Sequence, residues 1–182
     1  MRYYGVSEIC DSGLDIIFQV LRYEGPANQF IYSLPMAQSN GTFRTRADIM
    51  YLCNDSGSIT VTECATNTDL VGVTLQPGSA YVPESVFGNN IVKLESGNTI
   101  PILTMVIASH VNNKFIANVN TVSVSNSFSI PTNNYAIVVE GTLTVSNTSL
   151  DSNNDLHIID STNDTREVTG EGKLVIFEMV DG

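Results

Sequence analysis

The feature that most constrains the fold of this chain is a series of short segments rich in Val, Ile, Thr and Phe, each closed by turn-forming residues. β-branched and aromatic residues favour strands, and apolar side chains at alternate positions place one face of a strand in a core. Turn signals such as Pro77 followed by Gly78 separate the segments. The pattern predicts an all-β fold, a jelly-roll or β-sandwich with little helix. The segments are residues 58–66, 70–76, 90–96, 121–130, 134–146 and 172–180.

Three further segments are less regular. Residues 12–25 and 44–55 have apolar spacing that a helix also allows, but their β-branched and aromatic content favours strands. Residues 100–111 form a nearly continuous apolar run, which predicts a strand buried on both faces. No shift in composition marks a linker, so we expect a single β domain over residues 1–182, with residues 1–13 as an N-terminal arm.

The charge of the chain excludes several classes of partner. The net charge is -11, and the eight Lys and Arg residues are scattered, which argues against nucleic acid and anionic membranes. No apolar stretch reaches the roughly 18 residues of a spanning helix, and no signal peptide is evident, so synthesis in a cytoplasm is expected. The three cysteines have no C-x-x-C spacing, which predicts buried thiols rather than a zinc site.

The Asp- and Asn-rich segment at residues 151–164 resembles the start of a calcium loop. Asp151, Asn153 and Asp155 occupy the first three ligand positions of such a loop, but Leu156 and Thr162 stand where Gly and Glu are required. A different calcium site that includes Asp160 and Asp164 stays open. Turns closed by Asp and Asn side chains are the interpretation that the residues favour.

No catalytic constellation emerges from the sequence. Two D-S-G triplets, at Asp11 and Asp55, resemble the paired aspartates of aspartic proteases, but they lie too close together to head two equivalent lobes. His110 and His157 are 47 positions apart and belong to no metal-ligand pair. We therefore expect no cofactor, no catalytic residues and no enzymatic activity.

Residues 128–180 resemble the hairpin pattern of a cupin-type jelly roll. An aromatic-led strand at residues 135–139 runs into Glu140 and Gly141 and a return strand at residues 142–145, and residues 73–85 are similar to the strand, Pro-Gly turn and strand of the same architecture. The resemblance implies a jelly-roll fold. The metal-binding histidines and Glu of that family have no matching positions, which counts against metal-dependent chemistry.

A second resemblance is one of composition. Low charge, abundant Asn, Ser and Thr and the absence of Trp are similar to the decoration and cement proteins of bacteriophage capsids. This resemblance implies a structural virion protein that is made in the host cytoplasm, forms a homo-oligomer such as a trimer, and binds the major capsid protein or other virion subunits. Tyr and Arg are enriched at interfaces, so the candidate contacts are Arg2, Tyr3, Tyr4, Tyr81 and Phe87.

Two alternative functions stay open. The polar loops suit a carbohydrate- or receptor-binding fibre module, although Trp, which commonly stacks on sugars, is absent. A metal-free enzyme of the cupin kind would need a general base, for which His110 and His157 are the candidates.

Overall fold

The computed structural model describes residues 2–4, 16–24, 29–32, 48–65, 68–69, 72–82, 91–110, 114–153 and 157–181. Every regular element among them is a β-strand. The strands are β1 (Arg2–Tyr4), β2 (Ile16–Glu24), β3 (Gln29–Tyr32), β4 (Asp48–Cys53), β5 (Ile59–Ala65), β6 (Thr68–Asp69), β7 (Val73–Leu75), β8 (Ala80–Tyr81), β9 (Ile91–Ser96), β10 (Ile102–His110), β11 (Lys114–Ile130), β12 (Asn134–Val145), β13 (Thr148–Asp151), β14 (Ile159–Ser161) and β15 (Arg166–Asp181).

The strands form three antiparallel sheets. The central sheet has the order β1-β2-β10-β4-β8. The small sheet has the order β3-β9-β5-β6, with β7 also paired to β5. The long-strand sheet has the order β11-β15-β12-β13, with β14 also paired to β12. Many neighbouring strands are far apart in sequence, so the sheets are held together by long-range pairing.

The central sheet is buried on both faces. Side chains that alternate along its strands pack on the small sheet from one face, as Tyr23, Cys53 and Met105 do. The opposite face packs on the long-strand sheet, where Phe18 lies edge-on to Tyr135 with ring centroids 4.9 Å apart. Strand β10 contributes to both cores, which confirms a strand buried on both faces within residues 100–111, although Ile100 lies before the strand and is exposed.

The long-strand sheet also serves two cores. In β12, Ile137 faces the central sheet, whereas Leu143 belongs to a third core that the long-strand sheet builds with β13 and β14. Both positions are odd-numbered, so a regular strand would have placed them on the same face. A register shift between Val138 and Glu140 supplies the extra residue that reverses the alternation.

The predicted fold class is confirmed: the structure is all-β with a jelly-roll type of architecture. The two ambiguous segments contain strands β2 and β4. The predicted turn at Pro77 and Gly78 is present, with Gly78 at a φ of 79° and Ser79 donating a hydrogen bond to Gln76 across it. In the part of the chain that the structure describes, no helix is long and apolar enough to cross a membrane.

Candidate functional site

The candidate site lies at a gap in the strand pairing of β12. One edge of β12 pairs with β14 at residues 134–136 and with β13 at residues 142–145. Between these two stretches, the side-chain amide of Asn54 donates to the Val139 carbonyl at 3.0 Å, and the Ser152 backbone N–H donates to the Gly141 carbonyl at 3.0 Å. A side chain and a turn thus satisfy backbone groups that a continuous neighbouring strand would otherwise have bonded.

A cavity of about 510 Å³ lies over this gap, and we call it the inter-sheet cavity. Its walls come from the turn after β4, the turn before β8, the start of β10, the bulge of β12 and the turn after β13. The volume is in the range of small-molecule binding sites. The described residues that line it are Cys53, Asn54, Asp55, Ser56, Pro77, Gly78, Ile102, Val139, Glu140, Gly141, Ser152 and Asn153.

The turn after β4 presents oxygen acceptors to this cavity. Asp55 is 7% exposed, and its carboxylate accepts a hydrogen bond of 2.7 Å from Asn98. Because the Asn54 amide nitrogen is committed to Val139, its Oδ1 atom is left buried with no hydrogen-bond partner among the described residues. Buried acceptors are normally satisfied by protein, water or ligand.

An ion pair lies at the bulge. Lys173 Nζ lies 3.0 Å from Glu140 Oε2, and the two residues are paired across β15 and β12. Both side chains are partly exposed, so the pair contributes at most about 1 kcal/mol to stability. Gly78 packs against the pair, because a Cβ atom at this position would lie 2.9 Å from Lys173 Cδ. The Glu140 carboxylate is thus neutralised but still reaches the cavity.

Arg22 fixes the wall formed by the turn after β13. This side chain is 1% exposed, and its guanidinium donates hydrogen bonds to the backbone carbonyls of Ser152 and Asn153. The planar fork of a guanidinium suits such two-fold donation better than a single ammonium does. Arg22 therefore ties the central sheet to a turn that is about 130 residues away in sequence.

Cys53 lines the same cavity but is not an activated nucleophile. Burial raises the pKa of the Cys53 thiol above its ordinary value, and the nearby Asp55 carboxylate contributes to the rise. Nucleophilic cysteines need the pKa lowered instead. The thiol donates to the Gly57 carbonyl at 3.4 Å, so Cys53 acts as a packed and protonated side chain, as predicted for the cysteines.

A second cavity, of about 370 Å³, opens between β13 and β14, and we call it the C-terminal cavity. His157, one of the two candidate general bases, lines it and is partly exposed. The imidazole therefore lies in a concave site. The side chain of His110 lies outside the described residues. The described lining consists of Val145, Ser146, Thr148, Leu150, His157, Ile158, Ile159, Asp160 and Arg166.

Of the candidate contact residues from the sequence, the structure describes the positions of four. Arg2, Tyr3 and Tyr4 form β1, which pairs with β2 of the same chain. Tyr81 is in β8 and packs, partly buried, against the core between the central and small sheets. Phe87 and the remainder of the expected arm lie outside the described residues.

The Asp-rich segment forms two Asx turns on either side of a short strand. Asp151 accepts a hydrogen bond of 2.8 Å from the Asn153 backbone N–H, and Asp160 accepts one of 2.8 Å from the Thr162 backbone N–H. The second Asp151 oxygen accepts from Thr142, so the calcium candidate is engaged in local hydrogen bonds. Asp155 lies outside the described residues. Within the described part of the chain, no group of three or more His, Cys, Asp or Glu residues is placed to hold a metal ion.

Sequence reasoning missed Arg22, Asn54 and Arg166 as site residues. A signal for Arg22 was present, since it follows Phe18 and Val20 at alternate positions and so shares their inward face. Asn54 precedes the D-S-G turn at Asp55 but carries no signal that would predict its bond to Val139.

No protein-family model matches the sequence, and no curated protein matches it. Solved structures do share its fold. The chain is similar to YhaK from Escherichia coli, with a TM-score of 0.60 and 8% identity over 100% of this chain and 93% of that one. It is also similar to PA5104, a conserved protein of unknown function from Pseudomonas aeruginosa PAO1, with a TM-score of 0.54 and 7% identity over 97% of this chain and 87% of that one.

These likenesses correct the expectation of a virion protein. The chain resembles bacterial proteins in fold, not capsid proteins, so the assignment to the decoration and cement proteins of phage capsids and the virion location are wrong. Amino-acid composition misled because low charge and abundant polar residues suit any exposed β-fold. The jelly-roll architecture that the resemblance implied is confirmed. The identities are too low to carry function, and the likeness therefore shows a shared fold alone.

Proposed function

We propose that this protein binds a small hydroxyl-bearing molecule of the saccharide class in the inter-sheet cavity. The observation that carries the proposal is the cavity itself, a space of about 510 Å³ lined by both polar and apolar residues. Asp55 and Glu140 are acidic residues of this lining, and Ile102 is an apolar one. A few placed polar groups in a partly apolar cavity are typical of small-molecule sites.

The charges around the cavity favour a neutral donor over an ion. The net charge of -11 opposes an anionic ligand. A cationic ligand gains little from Glu140, because Lys173 already neutralises this carboxylate at 3.0 Å. A hydroxyl group can donate to Glu140 without carrying a charge into the site.

We propose binding without turnover. The titratable side chains of the described lining are each engaged: the Cys53 thiol is held protonated by burial, Asp55 accepts from Asn98, and Glu140 pairs with Lys173. A general base must reach the proton that it removes with a suitable pKa. The engaged groups of this lining are better placed to hold a ligand than to react with one.

Ligand-observed NMR and calorimetry with a panel of monosaccharides and polyols test the proposal. The Glu140→Gln variant should weaken binding about tenfold or more, because it replaces a charged acceptor with a neutral one. The matched control is Glu167→Gln, which makes the same change of charge at an exposed residue outside both cavities. Equal affinities in the two variants, or no binding of any hydroxyl-bearing compound at millimolar concentration, would contradict the proposal.

A further inference from the structure

The C-terminal cavity contains the aliphatic surface that the third core leaves least covered. Three of the ten buried residues described for that core line the cavity: Val145 is 8% exposed, Leu150 6% and Ile159 7%. None of the other seven is more than 4% exposed. The remaining exposure of these core residues is therefore concentrated at the cavity, where an aliphatic ligand would remove it from water.

The strand register places Arg166 on the same face as this aliphatic surface. Arg166 precedes Val168 by two positions in β15, and Val168 pairs directly with Val145 of β12. Residues two apart in a strand share a face, and so do residues directly opposite each other in an antiparallel pair. Arg166 itself pairs with Ile130, a further residue of the third core. Its side chain therefore stands beside the aliphatic surface, and Arg166 lines the cavity.

The Asp160 carboxylate does not neutralise Arg166. Asp160 pairs with Tyr135, which packs toward the central sheet, whereas Ile159 pairs with Ala136 of the third core. The Asp160 side chain thus stands on the opposite face of β14 from Ile159. The carboxylate points away from the face that carries the guanidinium.

Arg166 is held in place while its terminal nitrogens stay available. Its Nε–H donates to the Asp160 backbone carbonyl at 3.1 Å, which orients the guanidinium at the start of β15. Neither terminal nitrogen makes a hydrogen bond or ion pair with the described residues. A guanidinium presented in this way binds a carboxylate through two parallel hydrogen bonds.

We propose that the C-terminal cavity binds a monocarboxylate with an aliphatic chain. The two carboxylate oxygens accept hydrogen bonds from the terminal nitrogens of Arg166, and the chain covers Val145, Leu150 and Ile159. The volume of about 370 Å³ accommodates a short chain of this kind. This site is separate from the inter-sheet cavity and does not depend on the function proposed there.

A single negative charge on the ligand suits the electrostatics of the protein. The net charge of -11 repels anions at a distance, but salt screens this repulsion over about 8 Å at physiological ionic strength. Contact with Arg166 is not screened in this way, and Arg166 differs from Lys173 of the inter-sheet cavity in having no described carboxylate partner. A ligand with two negative charges, such as a phosphate monoester, is repelled more strongly by the protein than a monocarboxylate is.

Calorimetry on the full chain tests this proposal with four compounds. Hexanoate carries both the charge and the chain, acetate lacks the chain, 1-hexanol lacks the charge, and hexylamine carries the opposite charge. Hexanoate should bind about tenfold or more tightly than each of the other three, because each of them loses the charge-assisted bonds or the apolar burial. A partial compound that binds as tightly as hexanoate overturns the proposal, and so does the absence of hexanoate binding at millimolar concentration.

Two variants separate a specific ion pair from a general effect of charge. Arg166→Gln should weaken hexanoate binding about tenfold or more. The matched control is Lys114→Gln, which removes one positive charge at the opposite end of the β11 and β15 ladder, outside the described lining, and should bind as the wild type does. Equal affinities in the two variants would overturn the proposal.

Amide chemical shifts locate the bound ligand. On addition of hexanoate, the shifts of Val145, Leu150 and Ile159 should change, and those of Asn54 and Asp55 in the inter-sheet cavity should not. Changes confined to the inter-sheet cavity would overturn this proposal, whereas a failure of saccharide binding there would leave its expected results unchanged.

Discussion

At the scale of single residues, Arg22 carries a full charge into a buried position and uses it to hold a turn. Arg22→Lys keeps the charge, but one ammonium cannot reproduce the guanidinium hydrogen bonds to both Ser152 and Asn153. We expect the free energy of unfolding to fall by about 2–4 kcal/mol, as measured by urea denaturation. Arg166→Lys, at an exposed arginine, should change it by less than about 0.5 kcal/mol. Equal effects of the two substitutions would contradict a structural role for Arg22.

The raised pKa of the Cys53 thiol makes the free energy of unfolding depend on pH. Because burial raises the pKa of its thiol in the folded state, the unfolded thiol, with a pKa of about 8.5, loses its proton first as the pH rises. The folded state then binds more protons than the unfolded state. The contribution of the protonated thiol to the free energy of unfolding is therefore complete below the ordinary thiol pKa and is lost as the pH rises through the raised pKa of the folded state.

The substitution Cys53→Ala tests this dependence. Its effect on the free energy of unfolding should be smaller at pH 10 than at pH 7.5, since the wild type has lost the contribution of the protonated thiol at the higher pH. Denaturation of both proteins at the two pH values measures the difference. An effect that is the same at both values would show that the thiol pKa is not raised in the folded state.

At the scale of elements, the bulge of β12 depends on glycines that let two strands approach closely. A Cβ atom at Gly172 would lie 2.3 Å from the Glu140 backbone oxygen, and one at Gly141 would lie 2.6 Å from the Glu171 backbone oxygen. The obstructing atoms are backbone, so they cannot move aside as a flexible side chain does. The register shift that positions Glu140 over the inter-sheet cavity therefore requires a glycine on each strand.

Gly172→Ala should lower the free energy of unfolding by at least about 2 kcal/mol, because the added methyl group forces β12 and β15 apart. Gly97→Ala is the matched control, since a Cβ atom there meets nothing within 4 Å, and it should change stability by less than about 1 kcal/mol. Thermal and urea unfolding of both variants measure the effects. A Gly172→Ala variant as stable as Gly97→Ala would mean that the strands lie farther apart than the structure places them.

At the scale of the whole molecule, the homo-oligomer stays a prediction. In the described part of the chain, β11 forms the edge of the long-strand sheet, and residues 115–130 carry no charged side chain. Exposed edges without charges tend to pair with other strands. Size-exclusion chromatography with light scattering should give a multiple of the 19.7 kDa chain mass, three times that mass for a trimer. A monomer at tens of micromolar would contradict the prediction.

The sequence by itself determined the strands and the turns between them. Alternation in residues 121–130 and 172–180, the continuous apolar run at residues 100–111 and the Pro77-Gly78 turn all appear in the structure as predicted. These signals are local, because the period of side-chain orientation and the φ angles that a residue tolerates act over a few positions. The Asx turns at Asp151 and Asp160 were predictable for the same reason.

Only the tertiary structure decided which strands meet and where cavities remain. Asn54 bonds Val139 across 85 positions, and Arg22 holds a turn about 130 positions away. Such contacts depend on the pairing order of the sheets, which is set by the free energy of long-range packing and leaves no periodic mark in the sequence. The bulge of β12 and the two cavities arise from that order. Strand β12 contributes side chains to two cores, and β13 and β14 pair with different stretches of the same edge of β12.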